Sequence, residues 1–163
     1  MPVISALGLD LGHRRIGVAG CDRTGLIATG LTTIHRTHFE NDMAQLRQLI
    51  HARDATLLVI GLPYSMNGEM GAQAKRTQKL ARRIGSALQI PFEYVDERLT
   101  SYEAEVMLHA QHISPSRNRE LVDRKAACII LQQWLDCRRQ AVRSHETIVN
   151  RENAPLPSKL ADS

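Results

Sequence analysis

The chain reads as an α/β protein built on a five-stranded mixed sheet: three antiparallel strands, then βα units, with helices on both faces. Three observations predict this. Between residues 3 and 34, apolar runs are separated only by short turns containing Gly12 and Gly25. Connections that short join antiparallel neighbours, because a parallel crossover needs about a dozen residues or more. From Phe39 onward, stretches of helical periodicity alternate with short apolar runs, the pattern of βα units. Finally, Thr56-Leu57-Leu58-Val59-Ile60 is continuously apolar at strand length, as in a strand covered on both faces.

The first three strands are expected over Val3–Leu9, Arg15–Gly20 and Leu26–Ile34. Phe39, Met43, Leu46, Leu49 and Ile50 recur at helical spacing, which predicts an amphipathic helix over residues 40–52. The apolar run at 56–60 follows, ending in Gly61-Leu62-Pro63 and a polar, glycine-containing loop. A second helix is expected over Ala72–Leu88, with Leu80, Ala81, Ile84 and Leu88 on its inner stripe, then a strand at Pro91–Val95. Thr100 or Ser101 is placed to cap a third helix, and residues 112–120 read as a polar loop. From about Leu121 a last helix is apolar nearly all round, so it is expected to be buried, with Trp134 in the core. The order is βββαβαβαα, with the first strand at the centre of the sheet. The domain is expected over 1–143, and 144–163 reads as a polar, loose tail.

Composition narrows the function. With 163 residues, 43% hydrophobic and 23% charged, the chain suits one ordinary globular domain. Its net charge of +4 permits a polyanionic partner without requiring one. No apolar run approaches the roughly 20 residues of a membrane helix, and no basic segment precedes the short apolar run as in a signal peptide. Cys21, Cys128 and Cys137 form no metal-binding pattern, so they are expected as reduced thiols in a cytoplasmic protein without zinc.

Asp10 stands out. It sits between leucines in Gly8-Leu9-Asp10-Leu11-Gly12, and a carboxylate in an apolar strand usually needs a proton, a partner or a metal. Glu97 lies just beyond the expected fifth strand, and Asp123 in the first turn of the last helix. Ligands in such sheets sit outside the carboxyl ends of parallel strands, so folding could unite the three acids. Clustered carboxylates repel one another unless a cation joins them, and hard oxygen donors suit Mg²⁺. Taken alone, Asp123 fits an ordinary helix-start acid and Glu97 a partner of Arg98. Asp10 resists such a reading.

Four motifs in order carry a resemblance: Gly8-Leu9-Asp10-Leu11-Gly12 with Arg15-Ile16-Gly17-Val18-Ala19, Val59-Ile60-Gly61-Leu62-Pro63 with Asn67-Gly68, Asp96-Glu97-Arg98-Leu99-Thr100-Ser101, and Val122-Asp123 with Ala126-Ala127 and Ile130-Leu131. From about residue 4 to 137 the chain resembles the YqgF family, named for Holliday junction resolution and for nuclease action on the ribosomal RNA precursor. The resemblance implies an RNase H-like fold and a bacterial nuclease acting at the 5′ end of the 16S rRNA precursor, in ribosome biogenesis. It implies catalytic and metal-binding acids at Asp10, Glu97 and Asp123, holding one or two Mg²⁺ or Mn²⁺ ions. Asn67 stands where an Asp is frequent in the family, and Arg124-Lys125 where small residues are usual.

The expected second helix carries Lys75, Arg76, Lys79, Arg82 and Arg83 and no acid. A single-sign stripe suits a phosphate backbone, although an exposed basic face need not have a ligand. Lys75, Lys79 and Arg82 on one face, with Arg15 and Arg98, are therefore the expected substrate contacts. Arg14, Arg117, Arg119 and His13 could extend the patch. Other functions stay open: a resolvase of four-way DNA, a non-catalytic RNA-binding assembly factor on pre-ribosomal particles, or, from Asp-Leu-Gly after a strand, a phosphate-binding hairpin of an ATPase. The chain is expected to act as a monomer or homodimer, away from membranes.

Overall fold

The computed structural model describes residues 3–63, 70–96 and 117–152. Strands β1 (Ala6–Leu11), β2 (Arg15–Cys21) and β3 (Ala28–His35) form an antiparallel meander. Helix α1 (Phe39–Arg53) leads to β4 (Leu57–Leu62), and α2 (Ala72–Leu88) to β5 (Phe92–Asp96). The final helix, α3, runs from Arg119 to Glu152. The five strands lie in the order β3-β2-β1-β4-β5, with β4 parallel to β1 and β5 parallel to β4. β1 is central, as its apolar sequence predicts.

Side-chain alternation divides the sheet cleanly. Leu7, Leu9, Ile16, Val18, Leu58 and Ile60 point to the α1/α2 side and build the larger core with Met43, Leu46, Ala81 and Ile84. Ala6, Ala19, Cys21 and Val59 point the other way, against Ala127, Ile130, Leu131 and Leu135 of α3. The helix can lie close because β1 and β2 present glycines to it. A methyl at Gly8 would sit 2.7 Å from the Leu131 Cβ, and one at Gly17 only 2.1 Å from the Asp123 carbonyl oxygen.

α3 is also sewn to the sheet edge. Gln132 accepts from the Ala28 amide and donates to the Leu26 carbonyl, while Thr33 donates to the Glu120 carbonyl. Trp134 is partly buried against the second core and donates to Glu93. The three thiols are unbridged, and among the described residues no helix is long and apolar enough to cross a membrane.

Several boundaries differ from expectation. β1 begins at Ala6 rather than Val3, which is exposed. β3 begins at Ala28, because Asp22 ties up the preceding turn by accepting from the Leu26 and Ile27 amides, with Gly25 at φ 70°. The β2–β3 register also shifts between Val18 and Ala19, leaving Leu31 as the extra residue of a bulge. α3 starts at Arg119 and continues beyond residue 143 to Glu152. The expected helix after Thr100 and most of the loop at 112–120 lie outside the described residues.

Candidate active site and nucleic-acid interface

Asp10 sits near the carboxyl end of β1 and pairs in register with Gly17 of β2. Directly opposed residues of an antiparallel pair face the same side, so the Asp10 side chain projects to the side where a Gly17 methyl would meet Asp123. The Asp10 side chain and the backbone of Asp123, remote in sequence, thus lie on the same side of the sheet at Gly17. A side chain at position 17 would hold the start of α3 off the sheet. Asp123 is held from β2 as well: the Arg15 Nε donates to its Oδ2 at 2.6 Å, both side chains being about one-fifth exposed.

The neighbouring cations are arranged around this pair. Arg124, which follows Asp123, leans toward β3, where Gly30 leaves room, and lies 3.9 Å from Glu120. Glu120 also contacts the His35 Nε2 at 2.7 Å. The guanidinium of Arg124 is therefore engaged toward Glu120. Arg15 has a bond to Asp123 that the sequence did not suggest. β5 ends at Asp96, on the same edge as Asp10, since β1, β4 and β5 run parallel. Glu97 and Arg98, expected as a third acid and the nearest substrate cation, lie outside the described residues.

Carboxylate oxygens are hard donors, so those of Asp10 on β1 and Asp123 on α3 are of the chemistry that suits a divalent ion. Among the described residues no group of three or more His, Cys, Asp or Glu side chains gathers in one place.

Two cation-lined clefts flank the β1–β2 turn. One, of about 410 Å³, is lined by His13, Arg14, Arg15 and Arg119 on the Asp123 side. The other, of about 610 Å³, opens between the turn and α2 and takes in His13, Arg36, Arg76, Lys79 and Arg83. The Ala74, Thr77, Ala81 and Ile84 stripe is buried, and this fixes the rotation of α2. Of the expected contacts Lys75, Lys79 and Arg82, all are exposed but only Lys79 lines that cleft; Arg82 borders a separate hollow with Gly85 and Phe92. The sequence reading missed Arg36. It donates to the Gly12 and His13 carbonyls at 3.0 and 3.3 Å, and only its place after a strand could have signalled it.

Residues 4–137 match the family model described as "RuvX: Holliday junction resolvase". The chain belongs to the RuvX family. Curated relatives in this family include a protein of Trichormus variabilis, 60% identical over 86% of this chain and 93% of its own length, and one of Acaryochloris marina, 63% identical over 83% and 94%. Both carry the name "Putative pre-16S rRNA nuclease". Among solved structures, the RuvC protein of T. thermophilus with a Holliday junction substrate aligns with TM-score 0.52 at 14% identity, covering 84% of this chain and 96% of that one. The Fowlpox virus resolvase with junction DNA aligns at TM-score 0.53 and 8% identity, covering 82% and 98%. These likenesses show that the RuvX chain has the RuvC-type, RNase H-like fold.

Proposed function

We propose that this chain is a divalent-metal-dependent nuclease that hydrolyses phosphodiester bonds of the 16S rRNA precursor near its 5′ end. What supports the reading is that Asp10, paired with Gly17, faces the side of the sheet on which the Asp123 backbone packs against Gly17. The nucleic-acid substrate follows the names of relatives about 60% identical to it. Asp10 and Asp123, with Glu97 as the third acid, would hold one or two Mg²⁺ or Mn²⁺ ions. Such ions supply Lewis acidity and an activated water to phosphodiester hydrolysis when bound.

The chain's own groups do the rest. β1 and β2 fix the Asp10 carboxylate on a rigid strand, which limits the reorganisation needed when a phosphate arrives. Arg15 orients Asp123 from the adjacent strand. Arg14 and Arg119 stand beside it to receive phosphates flanking the scissile bond, and Arg98, Lys75, Lys79 and Arg82 are the further substrate contacts of this reading. Phosphate contacts give affinity and register but not sequence choice, so selection of the cleavage position rests on groups that touch bases or 2′-hydroxyls.

The description of the matching family model favours a second substrate, the four-way DNA junction. The decisive experiment offers ribosomal RNA precursor, plain single-stranded RNA and junction DNA side by side in Mg²⁺ and in Mn²⁺. Preferred cleavage of the precursor supports the reading. Preferred junction cleavage replaces it with the second, and tight RNA binding without turnover of any substrate would make the chain an assembly factor.

A further inference from the structure

His13, at the tip of the β1–β2 turn, lines both cation-lined clefts. The smaller adjoins Asp123 through Arg15, on the α3 face of the sheet. The larger is on the opposite face: Leu11, which lines it, packs with the α1/α2 core, as does Leu80. Arg36, Arg76, Lys79 and Arg83 line this larger cleft, no acid does, and among the described residues none of the four is bridged to a carboxylate. A solvated face normally mixes signs to avoid self-repulsion. Two of the four are also held in place. Arg83 lies 4.1 Å over the Phe39 ring, and Arg36 is bonded to the turn itself.

We propose that a single polynucleotide strand entering the Asp10–Asp123 site crosses the β1–β2 turn at His13. It then lays its phosphates along Arg36, Arg76, Lys79 and Arg83 on the far face. This rests on the nuclease reading for where the strand is cut and adds where its flank is held. The row from Arg76 to Arg83 extends about 10 Å along α2, longer than one phosphate group, which favours a chain over a free anion. The path bends from one sheet face to the other within a single turn. A duplex, with a persistence length of about 50 nm, cannot follow it, whereas a single strand can.

The test is equilibrium binding of a 20-nucleotide oligouridine RNA without divalent metal, from about 0.05 to 0.4 M salt. Each lost phosphate contact on a single strand removes about 0.7 from the salt slope, so Arg76→Gln/Arg83→Gln is expected to lower it by about 1.4. At 0.1 M salt that equals an affinity loss of roughly 25-fold. Arg76→Gln/Lys79→Gln keeps the Arg83–Phe39 stack and is expected to behave alike, which separates charge from folding. Arg23→Gln, a charge control exposed at the β2–β3 turn, should change affinity less than twofold. Losses no larger than those of Arg23→Gln would overturn the proposal, as would an equal loss for a 20-base-pair duplex. Because no cleavage is read here, failure of the wild-type protein to cut any of the offered substrates would end the nuclease reading alone, and unchanged binding by the double variants would end this path alone.

Discussion

Replacing Gly17 by alanine inserts one methyl between β2 and α3, and the structure says what it meets. The new carbon would lie 2.1 Å from the Asp123 carbonyl oxygen and 2.5 Å from its carbonyl carbon. Ordinary contact begins near 3.4 Å, so the start of α3 must retreat by about 1.3 Å. These are backbone atoms and cannot rotate away. Overpacking of this kind costs about 1–3 kcal/mol, which for a domain of this size lowers Tm by roughly 2–12 °C. The larger effect is expected on chemistry, because misplacing a catalytic group by about 1 Å can cost about 10²-fold in rate. Gly20→Ala, on the same strand but facing the other side, meets only the flexible end of Arg53 and should leave cleavage intact. The assay is kcat/KM for RNA cleavage alongside thermal unfolding of both variants. Wild-type cleavage and stability in Gly17→Ala would refute the close packing of the start of α3 on Gly17.

Three further outcomes are expected. Asp22 has its pKa lowered to about 2, first by the Ile27 amide and then by the Thr24 hydroxyl, so its contribution to stability is complete above the ordinary value of 3.8 and disappears as pH falls through about 2. Asp22→Ala should therefore lower Tm at pH 7, and the gap from wild type should close between about pH 4 and 2; a gap that persists at pH 2 argues against this turn clamp. Ile84→Ala, at a fully buried position of the larger core, should cost about 2–5 kcal/mol in urea unfolding, and a cost under 0.5 would mean that α2 is not packed as described. In thiol labelling, exposed Cys137 should react first. Burial raises the Cys128 pKa and Cys21 is buried, so both should lag, and simultaneous labelling of all three would contradict the core.

Much of this architecture was written locally. The apolar run ending at Ile60 could only be a covered strand, and the α2 bounds follow from one amphipathic stripe between Gly71 and Gln89. Asp10 points to a candidate site because a carboxylate flanked by leucines has few structural explanations. What escaped depends on partners distant in the chain. Gly17 resembles any strand glycine until α3 packs on it, and Arg15 resembles any basic contact until Asp123 arrives 108 residues later. The β3 bulge is a matter of register between two strands, not of composition. The basic face of α2 was legible, but its rotation was set by the buried Ala74 and Thr77, which bring Arg76 and Arg83 to the cleft along with Lys79.

Under the proposed function Asp10 works at a metal-dependent phosphodiester-cleaving centre rather than as a structural acid. Asp10→Asn keeps the volume and removes the charge. The most direct measurement compares its single-turnover cleavage of ribosomal RNA precursor in Mg²⁺ and Mn²⁺ with that of the wild type, with precursor binding measured in parallel. Cleavage is expected to fall by about 10³-fold or more, with binding within about threefold of wild type. Cleavage at the wild-type rate in either metal would contradict it.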